Sequence, residues 1–330
     1  MRQKLRNLAR RYLVPPRPVI LMYHRIAEPA IDPWDLSVPP DLFQDQLNSL
    51  ARRRTPLSMD QLVEKLASGE LPGDAVAITF DDGYTDNATV AKPLLEAAGI
   101  PATMFLSTKS LGTGEPFWWD ELAHMILLYP GAVAFELTLG GKRIPVEFPG
   151  AGDGSAPPPQ RSKGEAAANG REAIYLKVWS ELQRVSLTER RQGIDSLRGY
   201  LGRPDIPAED LPMSWAQAQN LPSDLICVGA HAQTHRPLTD LAPEDRRAEI
   251  LGSLIDCQRQ LGVAPTGFAY PHGDRDGDVI AAVREAGFTW ACSTAGSTVS
   301  RSHYDLHDLP RIAVGAWSGP ELLDRIRLAG

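Results

Sequence analysis

Short apolar, β-rich runs alternate along the chain with amphipathic stretches of helical periodicity. This alternation predicts parallel strands covered by helices. Seven runs have the character of buried strands, and they lie at 18–23, 75–80, 102–107, 224–230, 266–270, 288–293 and 309–314. Seven such strands suit a barrel, so we expect an α/β fold in which the strands form a distorted (β/α) barrel.

Helical stretches lie between these strands. The predicted helices cover 41–53, 58–67, 87–98 and 243–261. The second opens with Ser58 and Gln61, which have the spacing of a capping box, and the third stops at Gly99, a typical helix end.

One region breaks the alternation. Two strand-like segments flank Gly140-Gly141, as in a two-residue hairpin, 149–170 has the composition of a loop, and helical stretches follow at 171–183 and 187–201. We therefore expect an insertion that decorates the barrel. The predicted organisation is a basic N-terminal segment at 1–17, a first barrel part at 18–130, an insertion at 131–213 and a second barrel part at 214–330.

Charge and composition exclude several classes of protein. The 330 residues include 34 Lys+Arg and 41 Asp+Glu, a net charge of −7, which argues against nucleic acid as a partner. A hydrophobic share of 43% excludes global disorder. Three cysteines without CxxC spacing predict neither a disulfide framework nor a zinc ribbon.

The chain carries no apolar run near the roughly 18 residues that span a bilayer. Basic residues also interrupt the N-terminus too often for a signal-peptide core, so we expect a cytoplasmic protein. The basic segment 1–17 could touch an anionic membrane surface, although a solvated helix is the commoner case. No pattern indicates an oligomeric state.

Two adjacent carboxylates, Asp81 and Asp82, follow the predicted strand 75–80. Barrel enzymes keep their active sites at the carboxyl ends of strands, and successive residues point in different directions, so the two aspartates could take different roles. On its own, Asp-Asp-Gly is better explained as a turn with a helix cap.

Two histidines, His231 and His235, follow the strand at 224–230. The four-residue spacing predicts that both imidazoles lie on one face of a helical turn, with Cβ atoms about 5–6 Å apart, close enough to chelate one ion. One carboxylate of the aspartate pair would complete three protein ligands, the number that is typical of catalytic zinc. Two unrelated histidines, one capping and one on the surface, are the alternative.

Two further histidines also follow predicted strands. Pro271 and Gly273 around His272 predict a fixed turn whose backbone N–H groups could stabilise an oxyanion. His24 ends the strand at 18–23, where a histidine can be a proton donor or a satisfied core residue. Because all four groups follow strand ends, a barrel would gather them at one mouth.

The two aspartates, His231, His235 and His272 lie in three motifs, TFDDGY at 79–84, HAQTH at 231–235 and FAYPHG at 268–273. As an ordered set, the motifs resemble the first three motifs of the polysaccharide deacetylases, carbohydrate esterase family four with the NodB-homology fold. VILMYHRI at 19–26 and LPRI at 309–312 resemble the branch of that family linked to exopolysaccharide synthesis.

The resemblance implies a distorted barrel of about seven strands that binds one divalent metal ion, with zinc as the expected ion. It also implies an N-acetylated saccharide as substrate and acetate as product. Carried over by position, Asp82, His231 and His235 would be the metal ligands and Asp81 the general base. The backbone N–H of His272 would donate to the oxyanion.

The sequence departs from the family pattern at two places. Ala269 stands where the third motif usually begins with an arginine that orients the catalytic aspartate, so Arg311 is the expected substitute. No late histidine follows the last apolar strand in the usual pattern, although His303 and His307 lie nearby. His24 fits a branch with permuted motifs and is the expected general acid.

Three alternatives remain at this point. The same residues would serve a sugar O-acetyl esterase, and the two departures would also fit a saccharide-binding or scaffold protein without catalysis. A glycosidase that uses Asp81 and Asp82 is disfavoured, because its two carboxyl groups should lie roughly 5–9.5 Å apart across the scissile bond, which neighbouring residues rarely arrange.

Overall fold

The structure is a computed structural model that describes residues 16–150 and 170–329. Ten strands are present in the described residues: β1 (Val19–Tyr23), β2 (Thr55–Pro56), β3 (Ala75–Phe80), β4 (Ala102–Leu106), β5 (Val133–Leu139), β6 (Lys142–Phe148), β7 (Ile226–Ala230), β8 (Gly267–Ala269), β9 (Trp290–Cys292) and β10 (Ile312–Ala313). The α-helices in the described residues are α1 (Pro40–Arg53), α2 (Met59–Ser68), α3 (Lys92–Ala98), α4 (Trp118–Leu127), α5 (Gly170–Arg184), α6 (Leu187–Leu201), α7 (Trp215–Gln219), α8 (Pro243–Leu261), α9 (Gly277–Glu285) and α10 (Gly319–Leu328).

Seven parallel strands form the main sheet, in the order β10-β1-β3-β4-β7-β8-β9, and the short β2 pairs with β3. Every residue of β1, β3 and β4 is buried, which explains their continuous apolar sequences. The predicted α/β fold of about seven parallel strands is confirmed.

The sheet curls into an incomplete barrel. Its edge strands β9 and β10 form no ladder with each other in the described residues, and a single parallel bridge between Cys292 and Leu309 links β9 to the segment that leads into β10. Two backbone hydrogen bonds support this bridge, Leu309 N to Ala291 O at 2.9 Å and Ser293 N to Leu309 O at 2.9 Å. This segment brings Arg311 to the mouth of the sheet.

Local sequence signals set several helix ends. Ser58 and Gln61 exchange side chain to backbone hydrogen bonds at the start of α2, as the capping-box spacing predicts. Gly99 ends α3 with a left-handed φ of 65°. The predicted helix at 87–98 is divided, since a short π-helix at Asn87–Ala91 precedes α3.

The chain contains two compact units. The first comprises the residues up to Ala27, Ser37–Gly112 and the chain from Met213 onward, and it includes the parallel sheet. The second comprises Glu28–Leu36 and Thr113–Pro212, in which α4, α5 and α6 accompany the antiparallel hairpin β5-β6. The domain boundaries expected from sequence stay a prediction, and most of the expected N-terminal segment and most of the loop at 149–170 lie outside the described residues.

The hairpin of the second unit has the expected turn. Gly140 and Gly141 connect its strands with φ values of 55° and 75°, the positive values that a two-residue hairpin turn requires. No described helix has both the length and the apolar composition needed to cross a membrane.

Candidate active site

The turn after β3 places Asp81 and Asp82 at the carboxyl end of the strand. Both side chains are buried, and Asp82 has a φ of 76°, a left-handed conformation that is uncommon for a residue with a Cβ atom. Gly83 follows with a φ of 89°. The two neighbouring carboxylates meet different partners.

Asp81 forms a two-pronged ion pair with Arg311. Nη1 and Nη2 of the guanidinium donate to the two carboxylate oxygens, each at 2.7 Å. Nε of Arg311 donates to the carbonyl oxygen of Ser293 at 3.0 Å, and Nη1 also donates to the hydroxyl of Thr79 at 3.1 Å. The arginine is fully buried, so this pair is held in one geometry by contacts on several sides.

The pair keeps Asp81 charged. Burial by itself raises the pKa of its carboxyl, but the charge of Arg311 and the hydrogen bonds that it donates lower the pKa to about 2. Asp81 is therefore an ionised proton acceptor at neutral pH.

Asp82 faces the two histidines. Its Oδ1 atom lies 3.6 Å from Nε2 of His231 and 3.3 Å from Nε2 of His235. One ligand atom from each of the three residues lies within 4.8 Å of the others. The structure thus brings an aspartate together with two histidines that follow it by about 150 positions in the sequence.

The hydrogen bond at the far side of His231 determines which nitrogen faces Asp82. Nδ1 of His231 lies 2.8 Å from the carbonyl oxygen of Ala269, which can only accept, so we assign the ring proton to Nδ1. Burial lowers the pKa of His231 below its usual value. A neutral imidazole whose Nε2 lone pair points at a carboxylate is the form in which histidine binds metal ions.

The segment 231–235 is a loop, so the helical turn expected from the four-residue spacing is wrong. Ala232 and His235 have left-handed φ values of 57° and 56°, and these two reversals bring both imidazoles to the same side. Such conformations cost about 1–3 kcal/mol each and persist where surrounding contacts hold them.

Strained backbone is concentrated at this site. Five described non-glycine residues have positive φ, and four of them, Asp82, Ala232, His235 and His272, lie within the three motifs. Residues with costly conformations tend to cluster at functional sites.

His272 lies in a 3₁₀ turn at Pro271–Gly273, as the surrounding proline and glycine predict. Its ring packs edge-on against His235, with 4.4 Å between centroids. Gly273 is required here, because it has a φ of 74° and an added Cβ would lie 2.0 Å from Oγ1 of Thr294. The turn therefore brings the backbone and the ring of His272 beside the two histidines of HAQTH.

His24 follows β1, where its carbonyl oxygen accepts a hydrogen bond from Nδ2 of Asn87 at 2.8 Å. Its charge is close enough to contribute to the low pKa of Asp81. Asp86 anchors the same segment by accepting from Ile26 N at 2.9 Å and from Arg25 Nε at 2.9 Å. All the sequence-predicted site residues therefore lie in one neighbourhood.

His303 and His307, the two histidines near the end of the chain, contact a different set of residues. Nδ1 of His307 accepts from Nε of Arg284 at 3.2 Å, and its Nε2 donates to the carbonyl oxygen of Phe288 at 2.9 Å. His303 is exposed and lies 3.0 Å from the hydroxyl of Ser302.

The donor set fits a divalent metal ion. A carboxylate oxygen and two imidazole nitrogens are ligands that zinc accepts, and three protein ligands leave room for water or substrate. The assignment of the His231 proton to Nδ1 supports this fit. Imidazole and carboxylate also suit other divalent ions, so the donor set defines a class of metal.

Sequence reasoning missed three supporting groups. Thr79 joins Arg311 to β1, since its hydroxyl donates to the carbonyl oxygen of Leu21 at 2.8 Å. The carbonyl oxygen of Ala269 orients His231, and Asp86 holds the residues after His24. Thr79 belongs to the TFDDGY motif and Asp86 follows it two residues later, so motif position was a signal that could have identified both. A backbone carbonyl carries no sequence signal.

The chain matches a family model described as "Polysaccharide deacetylase" over residues 68–126 and 206–291. These residues include the aspartate pair and the histidines of the second and third motifs, but neither His24 nor Arg311. YxkH of Bacillus subtilis (strain 168), named as a polysaccharide deacetylase candidate, is 36% identical over 108 residues, which are 32% of this chain and 37% of that protein. The match thus spans just over a third of that relative.

Solved structures share the fold. The deacetylase PplD of Streptococcus pyogenes, solved in complex with acetate, superposes with a TM-score of 0.58 at 19% identity and covers 95% of this chain and 99% of its own. IcaB from Ammonifex degensii gives a TM-score of 0.58 at 16% identity, with coverage of 94% and 97%. The two matched segments are thus similar to polysaccharide deacetylases, and the solved structures show that the fold is shared.

Proposed function

We propose that this chain is a metal-dependent hydrolase that removes N-acetyl groups from an N-acetylated sugar polymer or oligosaccharide and releases acetate. One observation carries the proposal: the metal-compatible set of Asp82, His231 and His235 lies beside an ionised aspartate, Asp81, that an arginine holds in place. The motifs around His24 and Arg311 further suggest a substrate of the exopolysaccharide class.

Amide hydrolysis presents two obstacles. The carbonyl carbon is a poor electrophile, and the amine leaves poorly unless it is protonated. Asp82, His231 and His235 would hold a divalent ion such as zinc, which would supply Lewis acidity towards the acetyl oxygen and towards water.

Asp81 would accept the proton from the attacking water. The low pKa of Asp81 keeps its carboxylate ionised, so that it can accept this proton. The two hydrogen bonds from Arg311 leave Asp81 little freedom to turn, which favours one direction of proton transfer.

His24 would donate a proton to the departing nitrogen, since it lies close enough to act electrostatically on Asp81. The backbone N–H of His272 would donate to the oxyanion that forms as water adds to the carbonyl. Removal of one such donor elsewhere costs about 2.7–4 kcal/mol of transition-state stabilisation.

The contact between Arg311 and Asp81 favours catalysis over a non-catalytic scaffold. Ala269 in the third motif raised the scaffold alternative, because an arginine is expected there. In this structure Arg311, the residue before β10, supplies a guanidinium to the aspartate.

Acetate release provides the test. The purified full chain should release acetate from N-acetylglucosamine oligomers of increasing length, and a chelator should stop the release until zinc is added back. Acetylated xylan should yield less acetate than the N-acetylated oligomers. Release from xylan alone would show that the chain is an O-acetyl esterase. Binding of oligomers without acetate release would indicate a non-catalytic scaffold.

A further inference from the structure

One face of helix α8 contacts the loop that carries His231 and His235. Glu249, Gly252 and Asp256 have the spacing i, i+3, i+7, which places them in one row along the helix. Both carboxylate residues are buried, although α8 is otherwise rich in exposed charge. Buried carboxylates require partners, and here the loop donates three hydrogen bonds to Glu249 and one to Asp256.

Glu249 binds the middle of the loop. Its Oε2 atom accepts from the backbone N–H groups of Gln233 at 3.0 Å and Thr234 at 2.8 Å. Its Oε1 atom accepts from the hydroxyl of Thr234. The two N–H groups come between Ala232 and His235, the residues with left-handed φ. The carboxylate therefore holds the loop where its backbone conformation is least favourable.

Asp256 and Gly252 hold the side chain of Gln233. Oδ2 of Asp256 accepts from Nε2 of Gln233 at 2.7 Å and from the hydroxyl of Thr108 at 2.9 Å. A Cβ atom at Gly252 would lie 2.4 Å from Cδ of Gln233. The glycine thus makes the space that the Gln233 amide occupies. Lys109 N also donates to the Gln233 carbonyl oxygen at 2.8 Å, which ties the loop to the segment after β4.

We propose that Glu249 and Asp256, with the space left by Gly252, are positioning residues that set the metal affinity of this site. The loop holds its two imidazoles through left-handed residues rather than through helical hydrogen bonds, so outside contacts must fix their separation. A loop that is already in its metal-binding conformation loses less entropy when the ion binds. This inference rests on the metal site of the proposed function.

Two variants of the full chain test it, with the zinc dissociation constant measured by competition against a chromophoric chelator. Glu249→Gln places an amide near the two N–H donors and should weaken zinc binding by about 10–100-fold, the range seen when groups that support metal ligands are changed. Gly252→Ala should displace Gln233 and weaken zinc binding by about tenfold.

Folding can be separated from positioning. Alanine is a better helix former than glycine, so Gly252→Ala should leave α8 intact, and circular dichroism of the metal-free chain should match that of the wild type. Glu244→Gln is the matched control, an exposed carboxylate in the first turn of α8, and it should leave zinc affinity within about twofold. Excess zinc should restore acetate release by Glu249→Gln without changing KM for the saccharide.

The outcomes distinguish the positioning role of α8 from the existence of the metal site. Wild-type zinc affinity in both Glu249→Gln and Gly252→Ala, in a chain that binds zinc, overturns the positioning role and leaves the proposed function standing. Absence of zinc binding in the wild-type chain overturns the metal part of the proposed function and this inference with it.

Discussion

The two adjacent aspartates occupy opposite electrostatic surroundings. Asp81 is matched by the buried guanidinium of Arg311, and its negative charge already has a cationic partner at 2.7 Å. Asp82 faces Nε2 atoms of His231 and His235. Burial lowers the pKa of His231, which favours its uncharged form. Its Nε2 atom therefore offers an electron pair on the side of Asp82.

This difference shows how neighbouring residues of the same type can have separate roles. The left-handed φ of Asp82 turns the chain between the two side chains, so one faces a permanent cation and the other faces two imidazoles. The Asp81 region is therefore electrostatically complete within the chain, whereas the Asp82 region is suited to an added cation. Mutations should affect the two regions in different ways.

The largest effect is expected at His235. His235→Ala removes one of the three proposed ligands, so zinc binding and acetate release should both fall to background. The control is His303→Ala, which removes an exposed histidine and should change neither quantity. Zinc content by mass spectrometry and acetate release measure the two properties. Full zinc occupancy in His235→Ala would show that the histidine is not a ligand.

Asp81→Asn should separate chemistry from metal binding. Loss of a general base typically costs about 10²–10⁴-fold in rate, so kcat should fall by that range while zinc content stays at the wild-type level. Arg311 then lacks its buried anionic partner, so thermal unfolding must show that the variant is folded at the assay temperature. Near-normal kcat would assign the base role to another group.

Replacement of Arg311 should mainly reduce stability. Arg311→Met leaves the buried Asp81 carboxylate without its guanidinium, and breaking such a pair costs about 3–5 kcal/mol of unfolding free energy. Combining it with Asp81→Asn should recover part of that loss, because neither charge then remains buried. Urea unfolding measures both.

Arg325→Met provides the matched control for Arg311. Its guanidinium pairs with Glu321 on the exposed surface of α10, and such pairs contribute about 0–1 kcal/mol. Equal losses in the Arg311 and Arg325 variants would contradict a special role for the buried pair.

The smallest effect is expected at Thr79. Thr79→Val keeps the shape but removes the hydroxyl that joins Arg311 to the Leu21 carbonyl, so the unfolding free energy should fall by about 1 kcal/mol. Thr89→Val, at an exposed hydroxyl, should change it by less than about 0.5 kcal/mol. An unchanged stability in Thr79→Val would show that Asp81 and Ser293 suffice to hold the arginine.

Much of the barrel could be predicted from sequence because buried parallel strands have continuous apolar sequences. The predicted strand at 75–80 coincides with β3, and 18–23 and 102–107 differ from β1 and β4 by one residue. The shortest strands were harder, since 309–314 contains only the two-residue β10. There a single bridge joins Leu309 to Cys292, and β10 pairs with β1 over two residues. Pairing with these distant segments decides where the strand begins and ends.

The candidate site also has features that could be predicted from sequence and features that could not. Residue type and position after strand ends were enough to select Asp81, Asp82, His231 and His235. Arg311 was expected as the substitute for the arginine that the third motif lacks at Ala269. The helical turn at 231–235 was wrong, because a four-residue spacing is equally met by a loop with two left-handed residues. Glu249 of α8 accepts two backbone hydrogen bonds from that loop, a contact that local sequence does not reveal.

The sequence by itself determined the elements and the chemical types of the site residues, because burial periodicity, caps and strand-end positions are local properties. Only the tertiary structure decided which aspartate meets the arginine, which nitrogen of His231 faces Asp82, and that Glu28–Leu36 belongs with the second compact unit. These features depend on contacts between residues far apart in the chain, and such contacts form only when the whole sheet and its helices are packed.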